Sequence, residues 1–586
     1  MRTEVWVRHT TPWSKSPTSG LWALSTALLL WSPTAGAADG DDDILLSSIV
    51  AEVDRTMSVL ADADTPPYWM AVGVVDERSV HIGATHGAAG VPNEQHRRYG
   101  DLDLRVGSFE LDNTHKIRDG GWFVEAERYH LNLPLEDDPA LIRHSLWLAT
   151  DDTYRSAVRR LIKVKTNHAV KVEREDTSND FSPAPGVVDV APLTPFQFDH
   201  TPWIDVLRDT SARFLDHPHV YDSNVSLQVE DQISYLVTTD GTRIRQQRQR
   251  VRVAVWASTV ADDGQVLEVY DHIDAASTDG IPSPEVIAEM VDGVAQKVTA
   301  LRAAPIVDPF TGPAILRGKA AAVFFHEILG HRAEGHRQKD EDEGQTLTDM
   351  VGDQIFPTFI SVHDDPTLPR VGDTDLNGYY HYDDEGVKAE RVTIIDHGVL
   401  DSFLMSRAPI EGTDSSNGHG RRQPGNAVVA RQGNLIVSAE GGVPFDELRQ
   451  QLIERVKAED KPFGLIFDDI TGGFTLTGRG TPNSYAVQPV TVWRVWPDGR
   501  PDELVRGVDL IGTPLVTFRR IVGASDTSDV FNGMCGAESG WVPVSGVAPD
   551  LLVSEVEVQR REKDNDRPPL LEPPMPVVLP KKEGAQ

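Results

Sequence analysis

Apolar positions along the chain recur with two periods, and the switches between them divide it into predicted elements. "DGDDDILLSSIVAEVDRTMSVLAD" places Ile44, Leu45, Ile49, Val50, Val53, Met57 and Leu60 at helical spacing. Acidic residues crowd its start, where they suit the positive end of a helix dipole. "YWMAVGVVDERSVHIGATHG" follows as two short strand-like runs around Asp76-Glu77-Arg78, and "LDLRVGSFEL" alternates Leu102, Leu104 and Val106 with polar residues. That is the period of a half-buried strand. The spacing predicts a long helix over Pro139 to Lys165, with Leu141, Leu148, Val158 and Leu161 among its apolar positions. Strand character returns in "VSLQVEDQISYLVTTDGTRIRQQRQRVRVAVWASTVADDGQVLEVYDHI", where Asp240-Gly241 and Asp263-Gly264 are strong hairpin turns. Ser283 as N-cap and Pro284 as first residue then open a helix whose apolar stripe is Val286, Met290, Val294, Val298 and Leu301.

Beyond "RAAPIVDPFTGP" the pattern changes to short strands, glycines and turn pairs. The expected fold class is therefore α+β: an N-terminal α/β domain over residues 38–304, then a mainly β C-terminal domain over 305–560 that carries one histidine-rich helix. At 586 residues the chain is too long for a single core, which agrees with two domains. The proline-rich stretch 561–586 cannot pack a core and is expected to be disordered. Residues 1–37 read as a signal peptide: Arg2, Arg8 and Lys15 are basic, Leu21 to Trp31 is apolar, and Ala35-Gly36-Ala37 offers small residues for cleavage. An apolar run that short falls well below the roughly 20 residues a bilayer-spanning helix needs. Export to a periplasmic or extracellular location, with no membrane span, is the expectation.

Charge and cysteine count narrow the partners. With 90 acidic against 56 basic residues the formal charge is −34, which repels nucleic acid and anionic membrane surfaces. The single cysteine, Cys535, cannot close an internal disulfide, so it is buried, paired between chains, or bound to metal.

The candidate chemistry lies in "FFHEILGHRAEGHR", residues 324–337. "RGKAAAVFFHEILG" reads as a helix ending at Gly330. His326 and His331 would offer imidazole ligands, and Glu327 beside them a general base, the logic of helix-borne zinc protease sites. The usual histidine pair is four apart, about 40° around a helix; these are five apart, about 140°, so they face different ways on a straight helix. Convergence requires the helix to widen or unwind, and Gly330 is the residue that permits it. Cys535, in a glycine-rich turn before a terminal strand, could complete a Cys-His-His set with a fourth position open, as in catalytic zinc sites. Glu334 is the alternative third ligand if the helix continues. The competing reading is a helix ending in solvated charge, with His331, Arg332, Glu334, His336 and Arg337 facing water and Cys535 buried and inert.

Four segments, "FFHEILGHRAEGH", "DDEGVKAERVTIIDHGVLDSFLMSR", "SNGHGRR" and "GMCGAESGWVPVSGVAPDLLVSEVEV", occur in the order found in the TldD/PmbA family, metalloproteases once named modulators of DNA gyrase. The resemblance is close over most of residues 285–560 and loose before them. It implies that His326, His331 and Cys535 bind one Zn2+ per chain and that Glu327 activates water. It further implies a dimer enclosing the active site, either a homodimer or a heterodimer with a related subunit. One branch of the family has lost the histidine motif and serves as partner subunit; this chain keeps every element and resembles the active branch. The well-known members are cytoplasmic, and the export signal departs from them. The expected function is an exported zinc metallopeptidase acting on unfolded or extended peptides. Its rivals are a zinc-stabilised non-catalytic partner subunit and a cell-envelope amide hydrolase. His419 and Arg421 in "SNGHGRR" are the candidate substrate contacts; His336, Tyr379, Tyr380 and His381 read as structural or solvated.

Overall fold

The computed structural model describes residues 43–117, 129–169, 176–480, 483–561, 568, 569 and 571. The expected signal peptide and most of the proline-rich tail lie outside them. Among the described residues no helix is long and apolar enough to cross a membrane.

The first half is built on an eight-stranded sheet. Its strands are β1 (Pro67–Thr85), β2 (Ala88–Ala89), β3 (Asn93–Val106), β4 (Tyr129–Asn132), β5 (Val188–Val190), β6 (Asp222–Thr238), β7 (Arg243–Val260) and β8 (Val266–Ala275). The order is β4-β3-β1-β6-β7-β5, with β2 on β1 and β8 on β7, antiparallel except where β5 meets β7. The turns Asp240-Gly241 and Asp263-Gly264 join β6 to β7 and β7 to β8, as expected. The expected break at Asp76-Glu77-Arg78 does not occur, and β1 runs through it. Asp76 can sit inside a strand because the Arg98 Nε opposite it on β3 donates to its carboxylate at 2.7 Å, and His96 lies 2.7 Å from its other oxygen.

Even-numbered residues of β1 point to one face, as strand alternation requires. Met70, Val72 and Val74 pack there against α1 (Ile44–Leu60) and α2 (Pro139–Ala169), and Val80 and Ile82 against α3 (Thr201–Ser211) and α4 (Pro284–Ala303). Two helix faces differ from expectation. α2 buries Ile142, Leu146, Ala149, Ala157, Leu161 and Val164, whereas Leu141 and Leu148 are about half exposed. α4 buries Ile287, Val291, Val294, Ala295, Val298 and Leu301, whereas Val286 is exposed. In each helix neighbouring apolar pairs such as Val286/Ile287 allow two stripes one position apart, and periodicity alone does not choose between them.

The second half carries an eleven-stranded sheet, in keeping with the mainly β expectation. β9 (Phe310–Leu316) pairs with Gly464–Leu476, which continues through Ser484–Val495 and Val508–Gly512 to Gly540–Arg560, and that last strand pairs back onto β9. These strands therefore form a closed ring. From Gly540–Arg560 a wing extends through Asn434–Ala439, Ile360–Asp364 and Val392–Asp396, and Ile521–Ala537 forms a hairpin with the same strand. Residues 544–553 are all buried, the mark of a strand covered on both faces. Helix α5 (Gly318–Ile328) packs against Gly464–Leu476 and the terminal hairpin. Phe324 meets Tyr485 edge-on at 5.5 Å and Phe325 stacks on Phe356 at 5.5 Å, so the helix is enclosed by apolar surface nearly all round. Across the other face of the first sheet, the fully buried Arg407 donates to Asp240 at 2.7 Å and lies 4.1 Å over the Phe181 ring.

Candidate metal centre

Helix α5 ends at Ile328, two residues before the glycine that sequence singles out. Leu329 caps it with φ −115° and ψ −52°, and a separate 3-10 turn spans Gly330–Ala333. This break answers the five-residue spacing: His326, in the last turn of the α-helix, and His331, in the 3-10 turn, bring their rings to 4.9 Å at 82°. Gly330 is required by crowding, since a methyl there would overlap the buried Gln432 side chain.

Cys535 reaches the same point from the other end of the chain. It lies within the strand Ile521–Ala537, opposite Val542, and not in a turn as expected; the turn comes at Glu538-Ser539. The adjacent glycine serves the strand pairing, because a methyl at Gly536 would press on the cross-strand Trp541 ring at 3.0 Å. Cys535 Sγ is 3.0 Å from His326 Nε2 and 3.4 Å from His331 Nε2, and the three donor atoms all lie within 4.8 Å of one another. Zinc–sulfur and zinc–nitrogen bonds of about 2.3 and 2.0 Å at a tetrahedral angle place S and N about 3.5 Å apart. The donor set fits a zinc ion. Burial alone would lower the His331 pKa, but the sulfur of Cys535 and the carboxylate of Glu334 hold it well above the usual range. Burial would likewise raise the Cys535 thiol, yet His326 and His331 push it well below a normal thiol. The shift favours the thiolate, the form that binds metal.

Glu334, the alternative third ligand, sits behind His331. Its Oε2 faces His331 Nδ1 at 3.3 Å and accepts from Arg337 Nε at 2.9 Å, while its pKa, which burial would raise, is held at about 2 by His331 and Arg337. Glu334, His336 and Glu538 also bring donor atoms together, but Arg337 already donates to both carboxylates of that cluster.

Glu327 is 5% exposed and lines a cleft of about 2780 Å³ together with His326, His331 and Cys535. Burial lifts its carboxyl above the usual range, suiting a base that must also return its proton. One wall of the cleft is the strand segment from Ile470 to Leu476, and another includes Arg252, Tyr270 and His272 of the first sheet. Sequence reasoning missed these last three; their only signal is strand alternation, which says which face they occupy and nothing about what lies opposite. His419 and Arg421 do not line the cleft. His419 is fully buried, with Nε2 3.2 Å from Asp364, and Arg421 donates to the Gln432 carbonyl at 2.6 Å beside the Tyr380 ring. These bonds hold loops, and the expected substrate contact has no support from the lining of this cleft.

Residues 310–560 match the sequence profile described as the PmbA/TldA metallopeptidase C-terminal domain. A metalloprotease of Methanothermobacter thermautotrophicus is 29% identical over 348 residues, 58% of this chain and 70% of the relative. A metalloprotease of Methanocaldococcus jannaschii is 27% identical over 231 residues, covering 39% of this chain and 47% of the relative. A zinc metalloprotease TldD homolog of Saccharolobus solfataricus is 25% identical over 248 residues, 42% and 51% of the two chains. The chain spans about half the length of these last two relatives. Two solved structures share the fold: a Thermotoga maritima protein described as a modulator of a DNA gyrase (TM-score 0.56, 15% identity, 87% of this chain and 99% of that one) and TldE from Thermococcus kodakarensis (TM-score 0.56, 13%, 87% and 100%). The matched domain, the relatives and the shared fold agree with the histidine and cysteine segments: residues 310–560 match the C-terminal domain of the TldD/PmbA metallopeptidases, and the chain is similar to metalloproteases of that family.

Proposed function

We propose that this protein is an exported zinc metallopeptidase that cuts extended or unfolded peptides, with His326, His331 and Cys535 as ligands of one zinc ion and Glu327 as general base. The observation that carries the reading is the meeting of two Nε2 atoms and one Sγ beside a buried carboxylate on the wall of a large cleft. Zinc, when bound there, would supply Lewis acidity to a water and to the scissile carbonyl. Glu327 takes a proton from the attacking water on the cleft side and returns it to the leaving amine. Buried to 5% exposure, it has little solvent to compete for that proton. A cleft of about 2780 Å³ has room for an extended chain. The TldE neighbour in fold supports a related subunit as partner, with a homodimer as the other arrangement. The basic, apolar and small-residue pattern of residues 1–37 supports export, which fractionation of the producing cell tests.

The activity is tested on the mature chain with Glu327→Ala. The expected result is unchanged zinc content and loss of unfolded-peptide cleavage. Zinc-loaded wild-type protein that cuts neither peptides nor cell-wall amides would instead identify a non-catalytic partner subunit.

A further inference from the structure

Behind the histidine turn lies a set of buried charges that the proposed chemistry does not use. Arg431 is fully buried. Its Nη2 donates to the backbone carbonyl of Cys535 at 2.8 Å, and its Nη1 to Ser539 Oγ at 2.8 Å and the Gly540 carbonyl at 3.1 Å. Its Nε forms an ion pair with Glu334 Oε1 at 3.3 Å, without the alignment of a hydrogen bond. Glu334, equally buried, turns its other oxygen to His331 Nδ1 at 3.3 Å and to Arg337 Nε at 2.9 Å. Arg337 in turn reaches Glu538 at 2.8 Å on the hairpin that carries Cys535.

We infer that Glu334 and Arg431 are positioning residues for the metal centre: one carboxylate and one guanidinium brace the histidine turn against the cysteine strand and set which nitrogen of His331 faces the metal. This rests on the zinc reading above. A neutral imidazole has one N–H and one lone pair. A carboxylate at Nδ1 keeps the proton there, leaving the Nε2 lone pair directed at the sulfur side, where it is needed. Arg431 does for the cysteine what Glu334 does for the histidine. By holding the carbonyls of Cys535 and Gly540 and the hydroxyl of Ser539, its fork fixes the hairpin that delivers the sulfur. The shared ion pair makes these two anchors one unit, although the segments are 204 residues apart in sequence. A brace needed only for folding would not have to place a carboxylate on the far nitrogen of a ligand.

The test uses the full mature chain and Zn2+ alone, measured by competition with a chromophoric chelator, alongside thermal unfolding of the metal-free proteins. Glu334→Gln keeps the shape but loses the charge, and is expected to weaken zinc binding about 10- to 100-fold. Arg431→Lys keeps the charge but loses the fork, and is expected to weaken it in the same direction. Because removal of a buried charge can prevent folding, a second measurement uses the wild-type protein. Nitrogen-15 NMR of its histidines, with zinc bound, is expected to show the His331 proton on Nδ1 and the metal on Nε2. A folded Glu334→Gln protein that binds zinc as tightly as wild type, or His331 ligating through Nδ1, would overturn the inference and leave the metallopeptidase reading intact. Wild-type protein that binds no zinc takes both down.

Discussion

Two adjacent glycines on the cleft strand allow the placement of Glu327 to be tested with single methyl groups. A Cβ at Gly473 would lie 2.7 Å from Glu327 Cγ and 3.1 Å from both Glu327 Oε1 and the Ala486 carbonyl. Carbon atoms in contact sit about 3.5–4.0 Å apart, so the overlap is on the order of 1 Å and falls on the atom that carries the carboxylate. Either the strand retreats or Glu327 swings aside. A misplacement of that size lowers rate by about 100-fold, or roughly 2.7 kcal/mol of transition-state stabilisation. The fold should suffer less: overpacking costs about 1–3 kcal/mol, offset by up to about 1 kcal/mol for replacing a strand glycine. Gly472→Ala is the control, because nothing lies within 4 Å of a methyl at that position. The assay follows cleavage of an unstructured peptide by mass spectrometry, with zinc content and thermal unfolding measured on the same preparations. Gly473→Ala is expected to keep its zinc and lose about 100-fold in kcat, while Gly472→Ala retains both. Equal activity in Gly473→Ala and wild type, or equal damage in the two variants, would refute the assigned position of the base.

Other outcomes follow from the packing. Ile287→Ala should destabilise the protein by about 2–5 kcal/mol in urea unfolding, whereas Val286→Ala should stay within about 0.5 kcal/mol; equal effects would contradict the observed face of α4. Burial raises the Tyr485 phenol from 10.0 to about 12. The folded state therefore favours the neutral phenol, so its contribution is intact below pH 10 and about 3 kcal/mol is lost as pH rises from 10 to about 12. Tyr485→Phe should flatten the stability profile over that window, and an unchanged alkaline slope would disprove the assignment. Arg407→Ala leaves a buried space and deprives Asp240 of its cationic partner, leaving, among the described residues, only the Trp69 indole N–H on that carboxylate, so a loss of about 3–5 kcal/mol is expected; a neutral result would show that the two halves do not depend on this contact.

Much of this architecture was legible because periodicity is local. Alternation around Leu102 and Leu104, the Asp-Gly turns and the Ser283-Pro284 helix start each depend on a few neighbouring residues, and each appears where expected. The misplacements come from distant partners. Asp76 sits inside β1 because Arg98 is across from it, and α4 turns Ile287 inward because the first sheet lies on that side. The site divides in the same way. His326, Glu327, His331 and Cys535 were nameable from residue type, spacing and resemblance, and the structure brings them together. His419 and Arg421 carry the right chemistry for a substrate contact but spend it on Asp364 and the Gln432 carbonyl. The role of Arg431 was invisible, since an arginine in a strand-rich stretch reads as surface until its burial is known.

The closed ring has a consequence for the order in which the protein can be completed. Gly540–Arg560 pairs with β9, Val508–Gly512, Asn434–Ala439 and Ile521–Ala537. During synthesis it emerges after all four of its neighbours. The segment with His326 and His331 leaves the ribosome some two hundred residues before the sulfur it must meet. Contacts this distant in sequence are slow to form because the intervening chain must first be drawn in. The metal centre is therefore among the last features to appear, and a nascent chain lacking the final hairpin has neither a sealed ring nor a third ligand.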